Sequence, residues 1–330
     1  MDQTILKGFI DRADRARLRM RGVGLYHNGE FVAEHNWVFD ERRNVHSVSK
    51  SFTSVAVGMV QEAGVFKLSD TIAPFFEDKL PPNPDSWLLS ITVKDLLTMR
   101  VGMKEAMNDQ FRSCTIRDVE SYYLSRPMAN QPGTVFDYDT GASYMLAALI
   151  QRTTGFTVRD FLQGKLFDPL GIENVTWPVC CSGITNGGSG LMLSTSEMAR
   201  FGQLLLQRGK WQGKQLVPAS YIDEATVTHT HTPPENTGIY GVNEGRFQNA
   251  TVEFPEVPPT RAPRGYGYQF WTEIYPEKYP KAFYCMGSWG KWILVVPEKS
   301  AALSVCAHEQ TNHGQMIIEK LIEEEILDKL

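Results

Sequence analysis

Apolar residues follow two rhythms along this chain. In some stretches they recur three and four positions apart, the repeat of one helix face. Elsewhere they form short aromatic and β-branched runs broken by turn residues, the mark of strands. Near the start, Ile5, Leu6, Phe9, Ile10 and Ala13 line one face of an amphipathic helix. Residues 23–27 and 30–34 then flank Asn28-Gly29, and an Asn-Gly between two strand-like runs predicts a hairpin. Phe52, Val55, Ala56, Met59, Val60 and Ala63 form the stripe of a second helix, with Gly64 as its stop. Thr92-Val93-Lys94-Asp95 predicts the capped start of a short helix ending near Met99. Residues 141–154, with Tyr144, Leu146, Ala147 and Ile150 apolar, predict another. A further helix over 196–208 carries Met198, Phe201, Leu204 and Leu205, with Ser194 or Ser196 as cap and Gly209 as stop.

The pattern breaks over residues 229–265, where prolines at 233, 234, 255, 258, 259 and 263 oppose a regular element. A loop this long in a compact protein is usually functional or disordered, and it is expected to run over a cleft. Strands resume at 266–275, 282–287, 291–296 and 301–308, with a turn at Pro297-Glu298-Lys299-Ser300. The chain closes with a helix from about His313, where Ile317, Ile318, Leu321, Ile322 and Ile326 share a face that Glu325 interrupts.

This order predicts an α+β unit spanning residues 1–330. Residues 1–45 and 266–330 would form an antiparallel sheet with the terminal helices on one face. Residues 46–228 would form a mostly helical subdomain, and 229–265 a proline-rich loop over the cleft between the two. That cleft is the expected place for a substrate.

Composition narrows the function only modestly. A formal charge of −5 opposes a nucleic-acid binder and gives no strong attraction to a membrane surface. No run of apolar residues is long enough to span a bilayer. The opening stretch is too charged for a secretory signal. Cys114, Cys180, Cys181, Cys285 and Cys306 have no metal-ligand spacing, and their odd number fits reduced thiols in a cytoplasmic protein. The seven histidines, at 27, 35, 46, 229, 231, 308 and 313, show no metal spacing either. Gly187-Gly188-Ser189-Gly190 lacks the lysine of a phosphate-binding loop.

The candidate chemistry sits at the mouth of the second helix, where Ser47-Val48-Ser49-Lys50 reads Ser-x-x-Lys. That spacing puts Lys50 one turn after Ser47 on the same face. A serine hydroxyl is a weak nucleophile until a neighbouring base takes its proton, and the helix start favours developing negative charge. The same letters also fit Ser47 and Ser49 as caps and Lys50 as a solvated charge. Asp137 and Asp139 flank Tyr138. They fit a glycosidase pair or, more simply, two solvated carboxylates beside a turn.

Three pieces then line up in order: Ser47-Val48-Ser49-Lys50, Phe136-Asp137-Tyr138-Asp139-Thr140-Gly141, and Cys285-Met286-Gly287-Ser288-Trp289-Gly290. Together they resemble the serine β-lactamase and penicillin-binding-protein superfamily. The likeness is strongest to class C-like serine hydrolases, which include esterases, D-amino-acid peptidases and 6-aminohexanoate-dimer hydrolases. It covers nearly the whole chain and implies a β-lactamase-like fold. It makes Ser47 the acylated nucleophile, Lys50 its base partner and Tyr138 a sharer in proton transfer. Thr140 stands where the family usually has Asn or Ser, and would help position Lys50. The oxyanion hole would be the backbone N–H groups of Ser47 and Ser288, with Gly287 kept for close approach. Trp289 fits equally a strand-end core aromatic and a lining of the acyl pocket.

The third motif departs from the family. Cys285 and Met286 replace the cation and hydroxyl that hold a substrate carboxylate in lactam- and peptide-cleaving members. Lys291 is not an equivalent by spacing. The resemblance therefore implies a serine hydrolase of a small-molecule ester or amide, with no cofactor and no metal. A β-lactamase or D-amino-acid peptidase is the first alternative, and a catalytically silent acyl-binding or sensor protein the second. Oligomeric state is left open.

Overall fold

A computed structural model describes residues 4–108, 115–233, 257 and 262–330. Its centre is an eight-stranded antiparallel sheet whose strands come from both ends of the chain. In chain order these are β1 (Met20–His27), β2 (Glu30–Asn36), β3 (Thr230–His231), β4 (Gly265–Tyr266), β5 (Trp271–Thr272), β6 (Phe283–Gly287), β7 (Lys291–Val296) and β8 (Ala301–Ala307). Across the sheet they run β2-β1-β8-β7-β6-β5-β4-β3. The expected hairpin forms at Asn28-Gly29, with both residues at positive φ. Its strand β1 pairs with β8, so the N- and C-terminal strands share one sheet, as the pattern implied.

Two strand readings need correction. The run at 266–275 is two short strands, because Gln269 takes φ +63° and the chain turns back, with the Gly267 N–H bonded to the Phe270 carbonyl. The proline-rich stretch enters the sheet at both ends, through Thr230–His231 and Gly265. Its expected passage over the cleft falls mostly on 234–256 and 258–261, outside the described residues.

Terminal helices α1 (Thr4–Arg15) and α6 (Asn312–Glu325) pack together. Glu325, which interrupts the apolar face of α6, accepts from Arg12 of α1 at 2.9 Å. The sheet also carries α5 (Thr195–Leu206), which packs on β1, β7 and β8 although it lies within the stretch expected to form the helical subdomain. A methyl on Gly202 of α5 would meet Ile293 and Ala302 of the sheet at 2.9 and 3.4 Å. Ser194 caps α5 in a reciprocal box with Glu197, and Thr92 caps α3 (Val93–Leu97) with Asp95 in the same way.

Helix α2 (Ser49–Glu62) is not the striped helix expected. Residues 49–58 are buried all round, including Ser49, Lys50, Ser51, Thr53 and Ser54. A buried polar side chain needs a partner, and these find one in each neighbouring element. Ser51 donates to the Gln269 carbonyl at 2.8 Å, Thr53 to the Gly187 carbonyl at 2.7 Å, and Ser54 shares a 2.8 Å bond with Tyr221. Phe52 stacks on Phe201 of α5 at 3.8 Å. A second helix buried over most of its length, α4 (Thr140–Thr154), lies against α2, with every residue from 140 to 150 buried. Toward the outer end of α2 the burial falls off: Met59 is half-buried against the core, and Ala63, just past the helix, is exposed.

The expectation of uniformly reduced thiols does not hold: Cys180, Cys285 and Cys306 are free, but Cys181 is disulfide-bonded. No helix among the described residues is long and apolar enough to cross a membrane.

Candidate active site

Ser47 lies in a 3₁₀ turn, His46–Val48, that leads directly into α2. His46, just before it, is held at φ +50°, a conformation that costs a bulky residue on the order of 1–3 kcal/mol and tends to mark functional sites. Asn44 steadies the turn by accepting the His46 N–H at 2.8 Å. Ser49 does not cap α2: its hydroxyl donates back to the His46 carbonyl at 2.6 Å and accepts the Leu191 N–H at 3.2 Å.

Lys50 is 1% exposed, which removes the reading of it as a solvated charge. Its Nζ meets Ser47 Oγ at 3.2 Å, Thr140 Oγ1 at 3.3 Å and the Gly188 carbonyl at 2.8 Å. It also lies 4.9 Å from the ring centroid of Tyr138. That ring stacks on Trp271 at 5.6 Å and meets Tyr266 edge-on at 6.2 Å, so the sheet fixes its position. Ser47, Lys50, Tyr138 and Thr140, far apart in sequence, thus share one place.

The segment holding Tyr138 and Thr140 is set by Asp139. Read from sequence as a solvated carboxylate, Asp139 is instead 3% exposed and forms the N-cap of α4. Oδ1 accepts from the Gly141 N–H at 2.7 Å and the Met107 N–H at 2.9 Å, and Oδ2 from the Tyr123 hydroxyl at 2.8 Å. Burial raises its pKa while those hydrogen bonds oppose the rise. The signal was available, since an Asp just before an apolar-periodic run is a cap.

The sequence reading also missed the glycine loop. A methyl on Gly188 would stand 2.4 Å from Thr140 Cγ2 and 3.2 Å from Lys50 Nζ, and one on Gly187 would stand 2.5 Å from the Ser143 carbonyl. These glycines let backbone press onto the buried amine, a role that no phosphate-loop spacing would reveal.

The opposite wall is the end of β6. A methyl on Gly287 would lie 2.2 Å from the Val45 carbonyl oxygen, so the turn after β6 abuts the backbone leading into Ser47. Ser288 and Trp289 follow in that turn, with Trp289 at φ +66° and 38% exposed. The Trp289 ring sits between His46 and His308, at 4.9 and 4.7 Å. Cys285 is buried and its thiol is pushed up to about 12, so it stays neutral. Lys291 pairs across from Gly287, but its amine is buried on the Ala307 carbonyl and is lowered to about 8 by desolvation.

The family model for Beta-lactamase matches residues 10–324. The chain belongs to the Beta-lactamase family. Among the proteins it resembles is a lovastatin esterase of Penicillium rubens, 30% identical over 39% of this chain and 37% of that one. An uncharacterised protein of Alkalihalophilus pseudofirmus is 24% identical over 84% of this chain and 80% of its own. A Bacillus anthracis structure described as a 6-aminohexanoate-dimer hydrolase superposes with a TM-score of 0.75 at 22% identity, covering 98% of this chain and 82% of that one. A family VIII carboxylesterase gives 0.69 at 14% identity, covering 97% and 96%. At such identities these structures speak for the fold. The β-lactamase-like α+β architecture expected from the three motifs is the one this Beta-lactamase family member adopts.

Proposed function

We propose that this chain is a serine hydrolase that cleaves a small ester or amide through an acyl-Ser47 intermediate. One observation carries the reading: a buried amine, Lys50, lies within hydrogen-bond reach of Ser47 Oγ. Burial costs a charged amine dearly and favours its neutral, basic form.

In this reading Ser47 Oγ attacks the substrate carbonyl while its proton passes to the Lys50–Tyr138 pair. A free amine and a free phenol both titrate near pH 10, and side by side they share a proton as one unit. The oxyanion is received by the backbone N–H groups of Ser47 and Ser288, each donor typically worth about 3 kcal/mol. The pair returns the proton to the departing alcohol or amine. It then takes a proton from water as that water attacks the acyl-Ser47 carbonyl, which frees the acid and restores Ser47.

The third motif supports a substrate without a carboxylate to anchor. Neither a neutral buried thiol at Cys285 nor the thioether of Met286 can bind one. The lovastatin esterase likeness fits the same class. The test is hydrolysis of a p-nitrophenyl ester and a chromogenic cephalosporin by wild type and Ser47→Ala. Ester turnover that Ser47→Ala abolishes is the expected result. Preferred cephalosporin turnover would favour a lactamase, and no turnover of either a silent acyl binder.

A further inference from the structure

We infer that Ser49 and Asn44 are positioning residues that together aim the Ser47 N–H at the oxyanion. This rests on the acyl-Ser47 reading above and adds the device that sets one of its two donors. His46, held at φ +50°, has both of its backbone polar groups bonded to a neighbouring side chain. Asn44 Oδ1 accepts its N–H at 2.8 Å, and the Ser49 hydroxyl donates to its carbonyl at 2.6 Å. Each of those side chains also holds one N–H of the segment that follows the glycine loop. The Gly190 N–H donates to Asn44 Oδ1 at 3.2 Å, and the Leu191 N–H to Ser49 Oγ at 3.2 Å. A backbone N–H only donates, so the Asn44 atom facing these two groups is its oxygen. The same loop carries the Gly188 carbonyl that accepts from Lys50.

The His46 carbonyl and the Ser47 N–H belong to one peptide unit. That unit is planar and trans, so the two groups point in opposite directions. Fixing the carbonyl therefore fixes the direction of the N–H. The carbonyl is held twice from the start of α2, by the Ser49 N–H and by the Ser49 hydroxyl. Among the described residues the Ser47 N–H has no acceptor, and neither has the Ser288 N–H in the turn after β6. Both residues are half-buried, and two unclaimed N–H groups in such a place suit a developing oxyanion. A residue with a Cβ resists positive φ, so the His46 turn tends to relax. The Asn44 and Ser49 bonds hold it against that relaxation. Without either one, the peptide plane can tilt and carry the Ser47 N–H off its aim.

The test is hydrolysis of a p-nitrophenyl ester across a pH range, with active sites counted by fluorophosphonate labelling, beside the inhibition constant of phenylboronic acid. That acid mimics the tetrahedral intermediate. Ser47 Oγ bonds to boron, the serine proton passes to the Lys50–Tyr138 pair, and a boron-bound oxygen takes the place of the oxyanion. Losing an oxyanion donor outright costs about 10²–10³ in kcat, so tilting one is expected to cost about tenfold. Ser49→Ala and Asn44→Ala should each lower kcat about tenfold and raise the phenylboronic acid constant by a similar factor, with KM and the acid limb of the pH profile unchanged. Asn44→Asp keeps both acceptor bonds and should bring kcat to within about threefold of wild type. Ser49→Ala also strands the Leu191 N–H and should melt lower; if it does not fold, Asn44→Ala, at a half-buried residue, decides. A lower melting temperature with kcat and phenylboronic acid binding unchanged makes these side chains merely structural and overturns the inference. So does an acid limb that moves at an unchanged plateau, which would place the effect at Lys50, or Asn44→Asp as slow as Asn44→Ala. Wild type that neither turns over the ester nor labels at Ser47 overturns the acyl-enzyme reading, and this inference with it.

Discussion

Replacing Gly287 by alanine tests whether the wall of β6 sets the position of the nucleophile. The added methyl would stand 2.2 Å from the Val45 carbonyl oxygen, 3.2 Å from the Val45 carbonyl carbon and 3.3 Å from His46 Cβ. The ordinary C···O approach is about 3.3 Å, so strand and turn must part by roughly 1.1 Å. The first two obstructions are backbone, and no rotamer change relieves them. The displaced segment, Val45-His46, is the one that carries Ser47 and already holds His46 at positive φ. Misplacing a reacting group by about 1 Å costs on the order of a hundredfold in rate, or about 2.7 kcal/mol of barrier. Overpacking should also take about 1–3 kcal/mol of stability. The assay is kcat/KM on a p-nitrophenyl ester beside a thermal melt. Gly164→Ala is the control, because a methyl there meets nothing within 4 Å. The expected result is a folded Gly287→Ala protein with a hundredfold deficit and an unaffected control. Full activity at full stability would refute the claim that this contact positions Ser47.

Three further outcomes follow from the same geometry. Lys50→Met and Tyr138→Phe should each lower ester kcat by about 10²–10⁴, and Tyr138→Phe should melt near wild type because its ring still stacks on Trp271. Asp139→Ala strands the Tyr123 hydroxyl and the Met107 N–H and should destabilise the fold by about 2–4 kcal/mol in chemical denaturation. Lys291 gives a pH signature. Its pKa falls from 10.5 unfolded to about 8 folded, so between those values the unfolded chain holds more protons and stability rises with pH. Measured from pH 7 to 11, the advantage of Lys291→Met over wild type should be constant below pH 8 and shrink by about 3 kcal/mol by pH 10.5.

Much of the fold was legible because its elements obey local rules. Asn28-Gly29 dictated the hairpin, the Thr92 cap marked one helix start, Ser194 was one of two caps open for another, and residues 291–296 read as β7 without change. Ser47, Lys50 and Tyr138 were legible as motifs. What stayed hidden depends on tertiary burial. Helix α2 reads as a stripe because its other faces are polar, yet Ser51, Thr53 and Ser54 are buried on partners that no periodicity names. The strand run at 266–275 breaks at Gln269, whose amide is bonded to the Leu96 carbonyl at 3.0 Å, a tertiary constraint. Gly188 and Asn108 join the site only because separate loops converge on Thr140 and Lys50.

The central claim is a covalent intermediate on Ser47. It is tested most directly by mixing the protein with a p-nitrophenyl ester, quenching in acid within the first turnovers, and mapping the acylated peptide by mass spectrometry. The account predicts one acyl group on the peptide containing Ser47, absent from Ser47→Ala. Turnover with that peptide unmodified, or with the acyl group on another residue, would contradict it.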